Sequence, residues 1–227
     1  MKKCTNTINI TMTNTTFRNA NEAYEYLHDK IIQEGIKFGD TKALFNIGFY
    51  ITDPKDRKIT NKERKWNWNY ADCEWLWYLS GDRSVDKLGE FYGKIPPIWE
   101  KMADAEGNVN SNYGWQWERN NQFDYVYELL LNQPDTRQAV ITILDMKEHE
   151  TFTFDTPCTY AVQFTILDNE LNMSVVMRSN DLWFGFCNDQ YQFSKLQHHV
   201  WSKLDAGIEM GTYFHYAHNL HLYNDKI

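Results

Sequence analysis

Residues 156–189 read TPCTYAVQFTILDNELNMSVVMRSNDLWFGFCND, and the fold turns on how this run is parsed. Two segments, Tyr160–Leu167 and Leu171–Met177, carry the β-branched and aromatic residues of strands. Between them stands Asp168-Asn169, a pair that tolerates left-handed backbone, so the spacing predicts a β-hairpin. Working outward, Ala139–Leu144 and Ala43–Thr52 (ALFNIGFYIT) read as further strands, and Tyr213–Leu220 as a last candidate. Helical periodicity covers Asn19–Gly35, where Asn19 is a candidate cap with Glu22 in the capping-box position and Gly35 a stop. Ala71–Leu79 is a second helix ending before Gly81, and Ser84–Phe91 a short third, before Pro96-Pro97 interrupts the pattern. Asn121–Asn132 is amphipathic through Phe123, Val126, Tyr127 and Leu130. Gln190–Gly207 is amphipathic through Phe193, Leu196, Val200 and Leu204. Strands mixed with helices predict an α/β (α+β) domain, a mixed sheet covered by helices. No repeat, linker or low-complexity stretch divides residues 1–227, so one domain is expected.

Composition excludes several classes of function. With 42% hydrophobic residues, 9 Trp, 14 Tyr and 13 Phe, the chain has the material for a substantial core and is not a disordered segment. A formal net charge of −8 opposes general attraction to DNA or RNA, while leaving room for a small anion in a local arginine pocket. No stretch approaches the roughly 20 apolar residues of a membrane span. The opening MKKCTNTINITMTNTTF lacks the apolar centre of a signal peptide, so a cytoplasmic location is expected. Cys4, Cys73, Cys158 and Cys187 form no CxxC pair and read as reduced thiols. The charged run Asp53–Lys65 (DPKDRKITNKERK) reads as a solvated loop.

A few residues could carry chemistry. Cys158 follows a proline and precedes a strand, a rigid edge from which a thiolate could enter a cleft if a positive neighbour lowered its pKa. Arg178-Ser179 offers a bidentate fork plus a hydroxyl, suited to a phosphate, the commoner alternative being a surface salt bridge beside a turn. Glu74 lies among Cys73, Trp75, Leu76 and Trp77. It is either a buried carboxylate needing partners or the wet side of an amphipathic helix. No glycine-rich phosphate loop is present, and His215, His218 and His221 lack the spacing of a zinc site.

Taken together, CEWLWYLSGD (73–82), IW (98–99), NSNYGW (110–115), NQPDTR (132–137), TPCTYAVQF (156–164), MRSNDLWFGFCND (177–189) and HLY (221–223) resemble the thymidylate synthase and deoxycytidylate hydroxymethylase family. The resemblance runs from about residue 20 onward, on the side of the viral hydroxymethylase branch. It implies a homodimer built by sheets packed back to back. It also implies transfer of a one-carbon unit from 5,10-methylenetetrahydrofolate to C5 of a pyrimidine nucleotide, without a metal. By the resemblance, Cys158 is the nucleophile that adds to C6 and Glu74 the carboxylate that organises proton transfer. Arg178 and Ser179 hold the phosphate, with Arg137 reaching it from the partner subunit. His221 and Tyr223 contact the sugar hydroxyl, Tyr113 positions water or substrate, and Trp99 and Asp181 face the folate or the transferred carbon.

Asp189 bears on the base. Where the synthases carry an asparagine, this chain has a carboxylate that can accept from the cytosine N4 amine and share a proton with N3. Uracil O4 would oppose it, at a cost of about 1–3 kcal/mol. The expected activity is therefore that of a deoxycytidylate 5-hydroxymethyltransferase giving 5-hydroxymethyl-dCMP. Thymidylate synthase or dUMP hydroxymethylase is the nearest enzyme alternative, and a catalytically weak nucleotide-binding protein the other. The sequence departs from the family pattern at Arg137-Gln138, where a second arginine is absent. At Asp40-Thr41-Lys42 a lysine stands where the synthases have a phosphate-loop arginine. It also stops at Ile227, so a shortened C-terminus, without the extension that closes the folate site, is expected.

Overall fold

A computed structural model describes residues 15–149 and 155–227. Both Asp168 (φ 53°) and Asn169 (φ 62°) take the left-handed conformation that a two-residue hairpin turn demands. They join two strands of a single sheet. In chain order the elements are β1 (Thr15–Phe17), α1 (Ala20–Glu34), β2 (Ile36–Phe38), β3 (Thr41–Ile51), α2 (Trp68–Leu79), α3 (Val85–Tyr92), α4 (Pro97–Met102) and α5 (Tyr113–Glu118). There follow α6 (Gln122–Asn132), β4 (Val140–Thr142), α7 (Met146–His149), β5 (Thr159–Leu167), β6 (Glu170–Met177), β7 (Asn180–Asp181), α8 (Cys187–Trp201) and β8 (Glu209–Tyr223).

The sheet order is β1-β3-β8-β6-β5-β4, with β2 beside β3 and β7 beside β8. β5 and β6 pair antiparallel, β6 and β8 parallel, and β8 and β3 antiparallel, so the sheet is mixed. Period-two patterning explains how it is covered. Leu171, Met173, Val175 and Met177 of β6 are all buried and share a core with Phe193, Leu196 and Val200 of α8, which packs on β6 and β8. On the other face, Tyr50, Thr165, Ser174 and Phe214 line an open hollow of about 310 Å³.

Local chemistry accounts for most boundaries. Asn19 caps α1 by accepting from Glu22 N at 2.9 Å. The Glu22 carboxylate reaches back to Arg18 N, one residue before the expected partner. Several elements differ from the sequence reading. α2 begins at Trp68, capped by Asn67. α4 and α5 are additional six-residue helices, too short to show periodicity. A π-helical turn, Leu182–Phe186, leads into α8 at Cys187, and α8 ends at Trp201, whose indole donates to Ile208 O. β8 extends over 15 residues, its outer ends masked in the sequence by polar residues. Among the described residues no helix is long and apolar enough to cross a membrane. Cys73, Cys158 and Cys187 are free thiols, while Cys4 lies outside the described residues.

One contact ties the helical layer together. A Cβ built on Gly114 of α5 would stand 1.8 Å from the Tyr78 carbonyl oxygen of α2, so the two backbones touch where only glycine fits. Gly114→Ala is expected to destabilise the fold by about 3 kcal/mol or more, since the clash is with backbone that cannot move aside. A chemical-denaturation midpoint matching the parent protein would contradict this.

Candidate active site

Cys158 sits at the start of β5, tied to the end of β6: Arg178 N donates to Cys158 O at 2.8 Å. The Arg178 guanidinium donates to Pro157 O at 3.1 Å and Thr156 O at 2.8 Å, so it braces the loop that presents the thiol. Burial pushes the Cys158 thiol up to about 11. Arg178 pulls it down, while Asp189, Asp155 and Asp181 push it further up. Arg178 is thus the cation that favours the thiolate. Next along β5, Thr159 donates to the hydroxyl of buried Tyr113 at 3.0 Å. Asp155 fixes the loop leading to Tyr113 by accepting from Asn110 N and Ser111 N.

Glu74 resolves to the buried alternative, at 3% exposure. One oxygen accepts from the Tyr70 hydroxyl at 2.7 Å and the other from Gln192 Nε2 at 2.9 Å. Burial raises its pKa to about 7, and these two hydrogen bonds to the charged form limit the rise. Tyr70 in turn accepts from the Trp99 indole at 2.6 Å, so Trp99 is joined to Glu74 through one phenol.

Asp189, on the first turn of α8, is held by a chain of polar groups. Asn180 Nδ2 donates to Asp189 Oδ2 at 2.7 Å, and the Asn180 carbonyl oxygen lies 3.1 Å from His215 Nε2. His215 Nδ1 in turn faces the Tyr213 hydroxyl at 2.8 Å. Burial lowers His215 to about 3, so the ring is neutral and donates through Nε2 to Asn180 while accepting from Tyr213. Burial holds Asp189 well above the usual carboxylate range, and the nearby Glu74 charge adds to it. Gly185 gives this arrangement room: a Cβ there would lie 3.0 Å from Asn180 Nδ2 and 3.3 Å from Asp189 Oδ2. Gly185→Ala is therefore expected to crowd the Asn180–Asp189 bond, raising KM several-fold at a stability cost of about 1 kcal/mol. An unchanged KM in steady-state assays would argue against it.

Asp181 caps the π-helical turn, accepting from Trp183 N at 3.0 Å and Phe184 N at 2.9 Å. It pairs in register with His221 across β7 and β8. Burial raises Asp181 and lowers His221, and each partly offsets the shift in the other. Tyr223 packs edge-on to His221 and is partly exposed. Asp189 and Asp181 are near enough for their charges to act on Cys158, Asp189 also on Tyr113 and Asp181 on Tyr223, while Glu74 joins the group through Asp189. Ser179 is half-buried beside Arg178.

Arg137 is exposed on the turn before β4, outside this group, and no acidic side chain among the described residues pairs with it. The Lys42 ammonium donates to Ile32 O at the end of α1. His215 and His221 point inward while His218 is exposed and bonded to Asn46, so the three do not converge. No group of metal-ligating side chains occurs among the described residues. A second hollow of about 270 Å³, lined by Tyr24, His28 and Trp183 among others, contains none of the candidate site residues. The sequence reading missed Tyr70, Gln192, Asn180 and Asp155. For Tyr70 a signal existed, since it lies four residues before Glu74 on one helix face.

A family model described as thymidylate synthase matches residues 22–227. The chain belongs to the thymidylate synthase family. Among relatives of this family, the deoxycytidylate 5-hydroxymethyltransferase of Enterobacteria phage T4 is 34% identical over 152 residues, 64% of this chain. That match spans 59% of the phage protein's own length. The thymidylate synthase of Corynebacterium aurimucosum is 27% identical over 217 residues, covering 90% of this chain and 78% of that protein. In fold, the chain is similar to the thermostable thymidylate synthase A of Bacillus subtilis. The TM-score is 0.76 at 23% identity, over 90% of this chain and 80% of that one. The thymidylate synthase-like fold expected from the sequence is thereby shown.

Proposed function

We propose that this thymidylate synthase-family protein transfers a one-carbon unit from 5,10-methylenetetrahydrofolate to C5 of a pyrimidine nucleoside monophosphate, with dCMP as substrate and 5-hydroxymethyl-dCMP as product. The observation that carries this reading is the grouping of the Cys158 thiol beside Arg178 with two buried carboxylates, Glu74 and Asp189. A flat, conjugated, acidic cofactor fits the neighbouring surface. Phe184 is 52% exposed, with the cationic ends of Arg64 and Lys226 5.6 and 5.5 Å from its ring centre. Trp99 and Asp181 would hold the cofactor, which when bound supplies an electrophilic carbon.

The chain's own residues then have defined tasks. Cys158, as thiolate, forms a bond to C6 of the base, which breaks the ring's aromaticity and leaves C5 electron-rich enough to bond the transferred carbon. The C5 proton must leave, and Glu74, with a pKa of about 7, is suited to moving protons near neutrality. Loss of that proton expels tetrahydrofolate, which leaves with the electron pair of its bond to the transferred carbon. Water then adds its oxygen to the resulting exocyclic methylene and gives up a proton. The Cys158–C6 bond breaks to return the thiolate and restore the ring. Arg178 and Ser179 bind the phosphate, with Arg137 contributed by a partner subunit across the uncovered sheet face. His221 and Tyr223 hold the sugar, and Tyr113 orients water or substrate. Asp189 reads the base by accepting from the N4 amine and sharing a proton with N3, a role that suits a carboxyl already raised by burial.

A second reading, thymidylate synthase or dUMP hydroxymethylase, is favoured by the extent of the family match and by the 90% coverage of the Corynebacterium synthase alignment. One experiment separates the two. The protein is incubated with methylenetetrahydrofolate and dCMP, dUMP or CMP, and the nucleotide mass is measured. Hydroxymethyl-dCMP is expected. A methylated or uridylate product would establish the second reading, and no product from any nucleotide would sink both.

A further inference from the structure

The hydrogen bonds between Trp99 and Glu74 leave little choice of direction. An indole N–H can only donate, so the Tyr70 oxygen must accept from Trp99 at 2.6 Å. A phenol has one proton, and the Tyr70 proton therefore goes to Glu74 Oε1 at 2.7 Å. On the opposite side, Gln192 Nε2 is shared between Glu74 Oε2 and Ala71 O. The Gln192 carbonyl oxygen is buried without a hydrogen-bond partner. Glu74 thus receives two donors, one anchored inside the α2–α8 contact and one anchored on α4.

The two anchors differ in firmness. Gln192 is 1% exposed, within the core. α4 has six residues and buries none of them. Its start at Pro97 has no side-chain cap, and its hold on α2 includes the Trp99 indole, edge-on to Trp77 and bonded to Tyr70. A ligand resting on Trp99 therefore acts on the less firmly held of the two donors. Among the described residues, the titratable groups facing Glu74 are Tyr70 and Tyr78 on α2 and Asp189 on α8, with no cation acting on it. With no counter-charge, the ionised carboxylate depends on its hydrogen bonds.

We propose that Tyr70 is a positioning residue through which whatever rests on Trp99 sets the hydrogen bonding, and so the protonation, of Glu74. Held by Trp99, the Tyr70 hydroxyl points its proton at Glu74 and favours the carboxylate. Once the indole is drawn away, the hydroxyl is free to rotate and Glu74 takes up a proton. In the reading above, where Trp99 faces the folate, arrival and departure of the one-carbon donor would thereby be coupled to the charge on the residue that moves protons at the nucleotide. The inference rests on that reading only for the identity of the ligand.

The test is a double-mutant cycle on the Glu74 titration, followed by carboxyl ¹³C NMR of the ligand-free protein and assigned with Glu74→Gln. Tyr70→Phe removes one oxygen from a half-buried ring that keeps its edge-on contact with Tyr92, so the fold is retained. Its Glu74 midpoint is expected to rise by about one pH unit, because a donor to the charged form is lost. Trp99→Phe is expected to raise the midpoint by less, and to have no further effect when Tyr70 is already phenylalanine. A Trp99→Phe shift of the same size in both backgrounds, or a Tyr70→Phe midpoint equal to the parent's, would overturn the proposal. The acidic limb of the kcat/KM pH profile should move with the NMR midpoint. Folic acid is then added as the probe: a shift in the parent that is absent in Tyr70→Phe completes the coupling. If the cycle holds but folic acid leaves the parent midpoint unmoved, the folate assignment of Trp99 falls and the relay itself stands.

Discussion

Replacing Cys158 by serine is expected to lower turnover by on the order of 10⁴-fold or more, with nucleotide binding changed only a few-fold. The size follows from the proposed step: loss of a covalent nucleophile would remove the route itself, and comparable deletions in other enzymes cost this much. Serine has a far higher pKa than cysteine, and the site already pushes the native thiol up to about 11. Arg178 offers some relief to a thiolate but cannot generate an alkoxide at neutral pH. The proposed phosphate ligands Arg178 and Ser179 are untouched by the change, and Arg178 also keeps its bonds to Pro157 O and Thr156 O. Binding measured by calorimetry should therefore persist while release of the C5 proton, followed with tritiated nucleotide, disappears. Retained proton release would assign the chemistry to another residue.

Asp189→Asn should have the second-largest effect, moving the ratio of kcat/KM for dCMP over dUMP towards dUMP by roughly 10- to 100-fold, equivalent to about 1–3 kcal/mol of mismatched hydrogen bonding. The fixed partner decides the direction. Asn180 presents an N–H to position 189, because its carbonyl is committed to His215 and His215 to Tyr213. An asparagine at 189 must then turn its oxygen towards Asn180. It keeps that oxygen available to a uracil N3–H and offers its amide to O4. The native carboxyl has no amide N–H to offer O4, and burial with the nearby Glu74 charge holds its pKa above the usual carboxylate range. A ratio identical to the parent's would remove Asp189 from base selection.

Much of the architecture is legible in the sequence, and the reasons are local. The Asp168-Asn169 turn, the Asn19 cap and the amphipathic face of α6 each declare themselves within a few residues, where backbone preference and periodicity act. α4 and α5 are hidden because six residues make fewer than two helical turns, although Pro97 at the first turn of α4 is a legible start signal. β8 is understated because Asn219 and His221 are polar yet buried, their side chains bonded to each other two residues apart on one face of the strand. The candidate site divides the same way. Cys158, Arg178 and Asp189 stand out through motif context. Whether Glu74 is wet or buried depends on Gln192, 118 positions away, and the chain from Asp189 to Tyr213 links three elements. Partners so distant in sequence leave no local pattern to read.

β8 comes after every other strand in the chain, yet it lies between β3 and β6 in the middle of the sheet. Its pairing with β3 joins Thr41 to Tyr223 and Ile51 to Tyr213, so closing the sheet means closing a loop that contains nearly all the remaining elements. Such long-range pairing is slow, because chain entropy is lost well before the contacts that compensate for it form. During synthesis, the hairpin β5–β6 and helices α1 to α6 can emerge and form locally. Until β8 has left the ribosome, however, β3 and β6 expose unpaired edges. The assembled site, with Glu74 from α2, Cys158 from β5, Asp189 from α8 and His221 from β8, can exist only after that strand has been inserted. Activity should therefore appear as the last event in refolding, lagging behind the recovery of helical signal.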